Sequence, residues 1–174
     1  TPVSDLRVTA WWTKEPVPYK NRMSGKKKNL KPGQKWGDLF DCAWFHFEGT
    51  VPKTVSGKKI VLLIDVNGEA CVVDKKGYPV LGLTNVNSGY DFSLGMPGKK
   101  VVPVTTKANS GEKIDVWADA GCNDLFGVLR GDGTLKEACI AICNEEIRKL
   151  YYDYEVLHEL MTILPEERAR HHKI

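Results

Sequence analysis

No apolar run in this 174-residue chain approaches the ~18 residues a membrane helix needs, so no membrane partner is predicted. The first residues, TPVSDLRVTAWW, lack a basic segment leading into an apolar one; because the chain begins Thr1-Pro2 without Met, a trimmed start is expected and a removed signal peptide stays open. Charge excess is also missing. The net charge is +3, from 25 Lys and Arg against 22 Asp and Glu, too slight for a nucleic-acid partner. The chain has no phosphate loop, no convincing nucleophile and base pair, and no CxxC or HxxxH spacing. Accordingly no catalytic residue, metal ligand or cofactor is assigned within it.

Cysteine is present but does not read as a disulfide framework. Cys42, Cys71, Cys122, Cys139 and Cys143 are odd in number and set mostly among apolar strand residues, as buried free thiols would be. This predicts a reducing, cytoplasmic location.

At 42% hydrophobic and 174 residues, the chain is long enough for one core with an appendage. Strand-like runs recur at Trp44 to Val51, Lys59 to Val66, Glu69 to Asp74, Val101 to Thr106, Ile114 to Ala120 and Leu135 to Cys143. Between them, Asn67-Gly68 reads as a two-residue hairpin, and Lys76-Gly77 and Ser110-Gly111 as further turns. Short strands with regular turns predict an all-β, antiparallel sandwich over residues 1–143. The basic stretch KNRMSGKKKNLKPGQK, residues 20–35, reads as a solvated loop, with a docking patch for an acidic partner as its functional alternative.

After Cys143 the period changes. Asn144 caps a helix with Glu145 and Glu146 in its first turn, and Ile147, Leu150, Tyr151, Tyr154, Leu157, Leu160, Met161 and Leu164 form one apolar stripe. Pro165 with Glu166 and Glu167 reads as the start of a second helix, making residues 144–174 a helical linker toward a following domain.

Candidate constellations mostly fail on spacing. His158-Glu159 resembles the start of a zinc-protease motif, but position 162 is Thr. His171 and His172 are adjacent and point apart on a helix. Among the acids, Asp115 and Asp119 share a strand face with Trp117, while Ile114, Val116 and Ala118 share the other, which makes the first face an outer or interface side. Trp11, Trp12, Trp36, Trp44, Tyr90 and Trp117 are candidates for sugar stacking, with core packing expected for Trp36 and Trp44 and interdomain contact for Trp117.

Several segments in order resemble the N-terminal β-sandwich of glycoside hydrolase family 38 α-mannosidases, of the cytosolic, vacuolar and bacterial type. They are Trp36-Gly37, Ala43-Trp44-Phe45, Leu63-Ile64-Asp65 with Glu69-Ala70, Gly82-Leu83-Thr84, Cys122-Asn123 with Leu125-Phe126-Gly127, and Leu150-Tyr151-Tyr152-Asp153 with Glu155-Val156-Leu157. The resemblance implies a jelly-roll-like (galactose-binding-like) sandwich and a parent retaining glycosidase that hydrolyses terminal α-mannosides. It also implies zinc or another divalent metal and an Asp nucleophile, both in a catalytic domain beyond this chain. The family's His-x-Asp metal motif follows none of His46, His158, His171 or His172. Asp124 stands where the family more often has Gly, which puts that turn's geometry in question. On this reading Trp117, Asn123, Asp124, Phe126 and Gly127 contact the catalytic domain of the same chain or its substrate. The alternatives are a stand-alone carbohydrate-binding module, which would bind sugar by itself, and a structural or homo-oligomer-forming domain, which would not.

Overall fold

A computed structural model describes residues 1–85, 98–124 and 131–164. Among the described residues ten strands precede one α-helix: β1 (Pro2–Asp5), β2 (Arg7–Thr13), β3 (Lys26–Leu30), β4 (Cys42–Thr50), β5 (Ile60–Asp65), β6 (Glu69–Val73), β7 (Pro79–Leu83), β8 (Val101–Thr105), β9 (Lys113–Gly121), β10 (Glu137–Ile142) and α1 (Glu145–Ile163). They form a four-stranded sheet, ordered β1-β10-β5-β8, and a six-stranded sheet, ordered β3-β2-β4-β9-β6-β7. Every strand pair is antiparallel.

Alternation decides which face of each strand is buried. In β4, Ala43, Phe45 and Phe47 are buried to 1%, 0% and 0% exposure and face the core, which leaves Trp44, His46 and Glu48 on the outer side. The opposing sheet supplies Ile60, Leu62 and Ile64 from β5 and Ala138 and Ile140 from β10, all in the same apolar cluster. Trp36 lies fully buried beside Phe45, edge to face at 5.1 Å between centroids. Its indole Nε1 donates to the Val66 carbonyl at 2.7 Å.

Three local expectations change. Lys26–Leu30 is a strand rather than a solvated loop, pairing from Val8↔Leu30 to Trp12↔Lys26 at the sheet's edge. A Lys-rich edge strand resists pairing with other chains, so the basic run does structural work that composition alone reads as loop. Asn67-Gly68 is a corner between sheets rather than a hairpin, since β5 and β6 lie in different sheets. Asn67 takes φ 53°, and a Cβ on Gly68 would lie 2.5 Å from the Gly121 carbonyl oxygen, so close backbone approach fixes the glycine. Leu135 precedes β10 rather than opening it. Strands β1, β2 and β7 were not foreseen; β1 and β7 are short edge strands with weak alternation.

The turn at Lys76-Gly77 closes the β6–β7 hairpin, with the Gly77 N–H donating to the Asp74 carbonyl at 3.0 Å. A separate unit begins at Cys143. Asn144 caps α1, accepting from the Ile147 N–H at 3.1 Å, with Glu145 and Glu146 in the first turn. The expected second helix from Pro165 lies outside the described residues, as do Tyr90, His171 and His172.

Candidate functional site

Two clusters of polar and aromatic side chains stand out on the sandwich. The first is the corner where β5 crosses to β6. Asp65 Oδ1 accepts from the Asn67 N–H at 2.8 Å, which holds the positive-φ residue in place. Asn67 Nδ2 then donates to Asp132 at 2.7 Å, and its Oδ1 accepts from Asn85 Nδ2 at 3.3 Å. Asn85 Nδ2 also donates to Asp124, which is only 1% exposed. Asn123 donates to Glu69 at 2.6 Å. Hydrogen bonds from Lys136 and Thr134 hold the Asp132 carboxyl down at about 2.

Asn123 and Asp124 therefore sit side by side in a network that ties the end of β9 to the corner. Phe126 and Gly127, expected to share their role, lie outside the described residues, as does Leu125. Asn67, Asn85 and Asp132 were missed. Asn67 was visible as half of a turn signal, but nothing local in sequence links it to Asp132, 65 residues on.

The second cluster covers the outer face of the six-stranded sheet, and Trp117 lies in it rather than with Asn123. Register sets this up: His46 is opposite both Thr9 and Trp117, and Trp44 is opposite both Trp11 and Asp119. Trp117 stacks on His46 at 4.1 Å and on Trp11 at 5.3 Å between centroids, and the Arg22 guanidinium lies 4.6 Å above its ring. The same guanidinium lies 4.1 Å over Tyr19, whose ring meets Trp44 edge-on at 5.6 Å. Trp44 Nε1 donates to the Val17 carbonyl at 2.8 Å. Each nitrogen of His46 faces a carboxylate, Glu48 at 3.3 Å and Asp115 at 2.8 Å. The aromatics thus fill one another's faces, and Trp36, the remaining sugar-stacking candidate with a core alternative, is buried inside.

Beside this stack, burial raises the Asp119 carboxyl, partly offset by a backbone hydrogen bond from Ala120. Burial also raises the thiols of its neighbours Cys42 and Cys71, with the Asp119 charge adding to both. Among the described residues, no group of three His, Cys, Asp or Glu is placed to hold a metal. The donor set does not suit zinc either: the His46 nitrogens are both engaged by carboxylates, and Cys122 and Cys139 are pushed up to about 11, chiefly by burial. All five cysteines are free. No helix among the described residues is long and apolar enough to cross a membrane.

Residues 2–151 match the family model described as alpha-mannosidase, jelly roll domain. The chain is also 24% identical over 177 residues to Alpha-mannosidase 2C1 from Homo sapiens; that match takes in 94% of this chain and 16% of the relative. The chain spans about a sixth of that relative's length. A two-sheet antiparallel sandwich, the corner held by Trp36 and Asn67, and a family match over residues 2–151 agree: the chain belongs to the jelly-roll domain family of α-mannosidases.

Proposed function

We propose that the chain is the non-catalytic N-terminal domain of an α-mannosidase acting on terminal α-mannosides, and that it serves as a scaffold for the catalytic region through α1. The observation that carries this reading is the helix face. Ile147, Leu150, Tyr154 and Leu157 are 64%, 68%, 67% and 46% exposed, and none of the 19 residues of α1 is buried. Most helical stability in proteins comes from packing an amphipathic face, so a capped helix with a long apolar stripe calls for a covering surface. Burying what these four side chains still expose supplies on the order of 4–7 kcal/mol before ordering costs.

The covering surface we assign to the catalytic region of the same polypeptide, because the related α-mannosidase extends far beyond the segment matched here. Zinc and the nucleophile belong to that region in this reading. Free thiols kept protonated by burial support a reducing, cytoplasmic setting.

The test places Leu150→Asp with Leu157→Asp in the full-length enzyme. A lower thermal midpoint and at least tenfold slower α-mannoside turnover are expected, about 1.4 kcal/mol or more at the transition state. Unchanged stability and turnover would overturn the assignment. Sedimentation of the 174-residue chain separates the other occupant: a concentration-dependent dimer abolished by the same substitutions would give the stripe to self-association.

A further inference from the structure

The outer face of the six-stranded sheet holds a cleft of about 960 Å³ where β2, β3 and β4 meet. Strand register builds its walls. Arg7, Thr9 and Trp11 project from one side of β2; Asn29 and Lys27 stand opposite Thr9 and Trp11 on β3, and Glu48 and His46 stand opposite Arg7 and Thr9 on β4. Lys31 and Gln34, from the turn after β3, also line it.

The hydrogen-bonding groups in this cleft are unevenly spent. Asn29 Oδ1 accepts from the Thr9 hydroxyl at 3.3 Å, and Gln34 Oε1 accepts from the Lys31 N–H at 2.8 Å. Glu48 is taken up by Arg7 and His46. Each amide oxygen already accepts one bond within the protein, and the donors available to the cleft are the amide nitrogens of Asn29 and Gln34 and the ammonium groups of Lys27 and Lys31. Lys27 lies 5.7 Å over the Trp11 ring, and among the described residues no carboxylate pairs with Lys27 or Lys31. The one other carboxylate in the lining is Asp5, against the cations of Arg7, Lys27 and Lys31.

A donor-rich cleft with two lysines that no carboxylate pairs suits a ligand that brings acceptors and negative charge. Its volume lies within the range of small-ligand sites. We propose that this cleft is a binding site for an anionic saccharide, a sugar carrying a phosphate or carboxylate. Lys27 and Lys31 meet the anionic group, and Asn29 and Gln34 donate to ring hydroxyl oxygens; Trp11, stacked on Trp117 and only 9% exposed, lines the cleft without offering a free ring face. The proposal goes beyond the scaffold role and does not depend on it.

The experiment is an amide and side-chain NH2 NMR titration of the 174-residue chain with mannose 6-phosphate, mannose and inorganic phosphate in parallel. Localised shifts at Lys27, Asn29, Lys31 and Gln34 are expected with the sugar phosphate, weaker by at least about tenfold with either of the others. Asn29→Asp, at an exposed strand position, should keep the backbone spectrum and weaken the sugar phosphate by about tenfold or more; Lys27→Gln with Lys31→Gln should do the same. Equal binding of phosphate alone would reduce the site to simple ion pairing, and equal binding of mannose would remove the charge requirement. Either result, shifts spread over all surface lysines, or no shifts, would overturn the proposal.

Discussion

Replacing Trp36 by Phe should destabilise the sandwich by about 2–4 kcal/mol. The indole is fully buried, and its N–H is bonded to the Val66 carbonyl at 2.7 Å. Phe keeps a ring against Phe45 but removes the donor, leaving a buried carbonyl without that partner at about 1–3 kcal/mol. The smaller ring also leaves a void, at about 1 kcal/mol for modest residual volume. Calorimetry on the 174-residue chain should show the sandwich midpoint falling by roughly 6–12 °C. Trp44→Phe is the control. It also loses an indole donor, to Val17 at 2.8 Å, but at a half-buried acceptor on the outer face where water can step in, so about 1 kcal/mol is expected. A Trp36→Phe loss below about 1 kcal/mol, or one no larger than that of Trp44→Phe, would refute the idea that Trp36 anchors the corner through its N–H.

Asn67→Gly tolerates φ 53° but deletes the bonds to Asp132 and Asn85, so about 1–2 kcal/mol should be lost; Asn67→Ala should lose about 1 kcal/mol more from the positive φ, and urea unfolding giving the reverse ranking would count against this account. Asp119→Asn should raise the thermal midpoint at pH 7. Burial raises the folded-state pKa of Asp119 above its unfolded value, so the group favours folding when protonated and loses that contribution as pH rises through the folded value. The gain should shrink toward zero at pH 3, where the carboxyl is protonated in both states, and a destabilised variant at pH 7 would sink the argument.

The strands that sequence showed well are those with one face toward the core and a near-alternating pattern, such as β4 and β9. Burial writes a period of two into them, and the reading that put Trp117 and Asp119 on the outer face of β9 follows from it. Strand β3 was illegible for the opposite reason: as an edge strand it carries KKKNL, with only Leu30 buried, so its alternation is between solvent and solvent. The Asn67-Gly68 pair signalled a sharp reversal correctly, but a turn signal describes the local backbone and cannot say whether the next strand joins the same sheet or the opposite one. Only the core pattern on both sides decides that, and here β5 and β6 each have a face for a different layer.

Several of the residues through which the sequence resembles an α-mannosidase domain meet at the corner where β5 passes to β6. Trp36 reaches Val66, just after Leu63-Ile64-Asp65; Glu69 accepts from Asn123; and the Cys122 N–H donates to the Asp41 carbonyl at 2.8 Å while its carbonyl accepts from Phe40 at 3.0 Å. These contacts constrain the fold and name no chemistry. Residues lining the cleft, Lys27, Asn29, Lys31 and Gln34, fall outside those segments and are exposed, so packing places no demand on their identity. Their arrangement follows from the register of β2 with β3 and from which amide oxygens already accept a bond, two properties that exist only once the chain is folded.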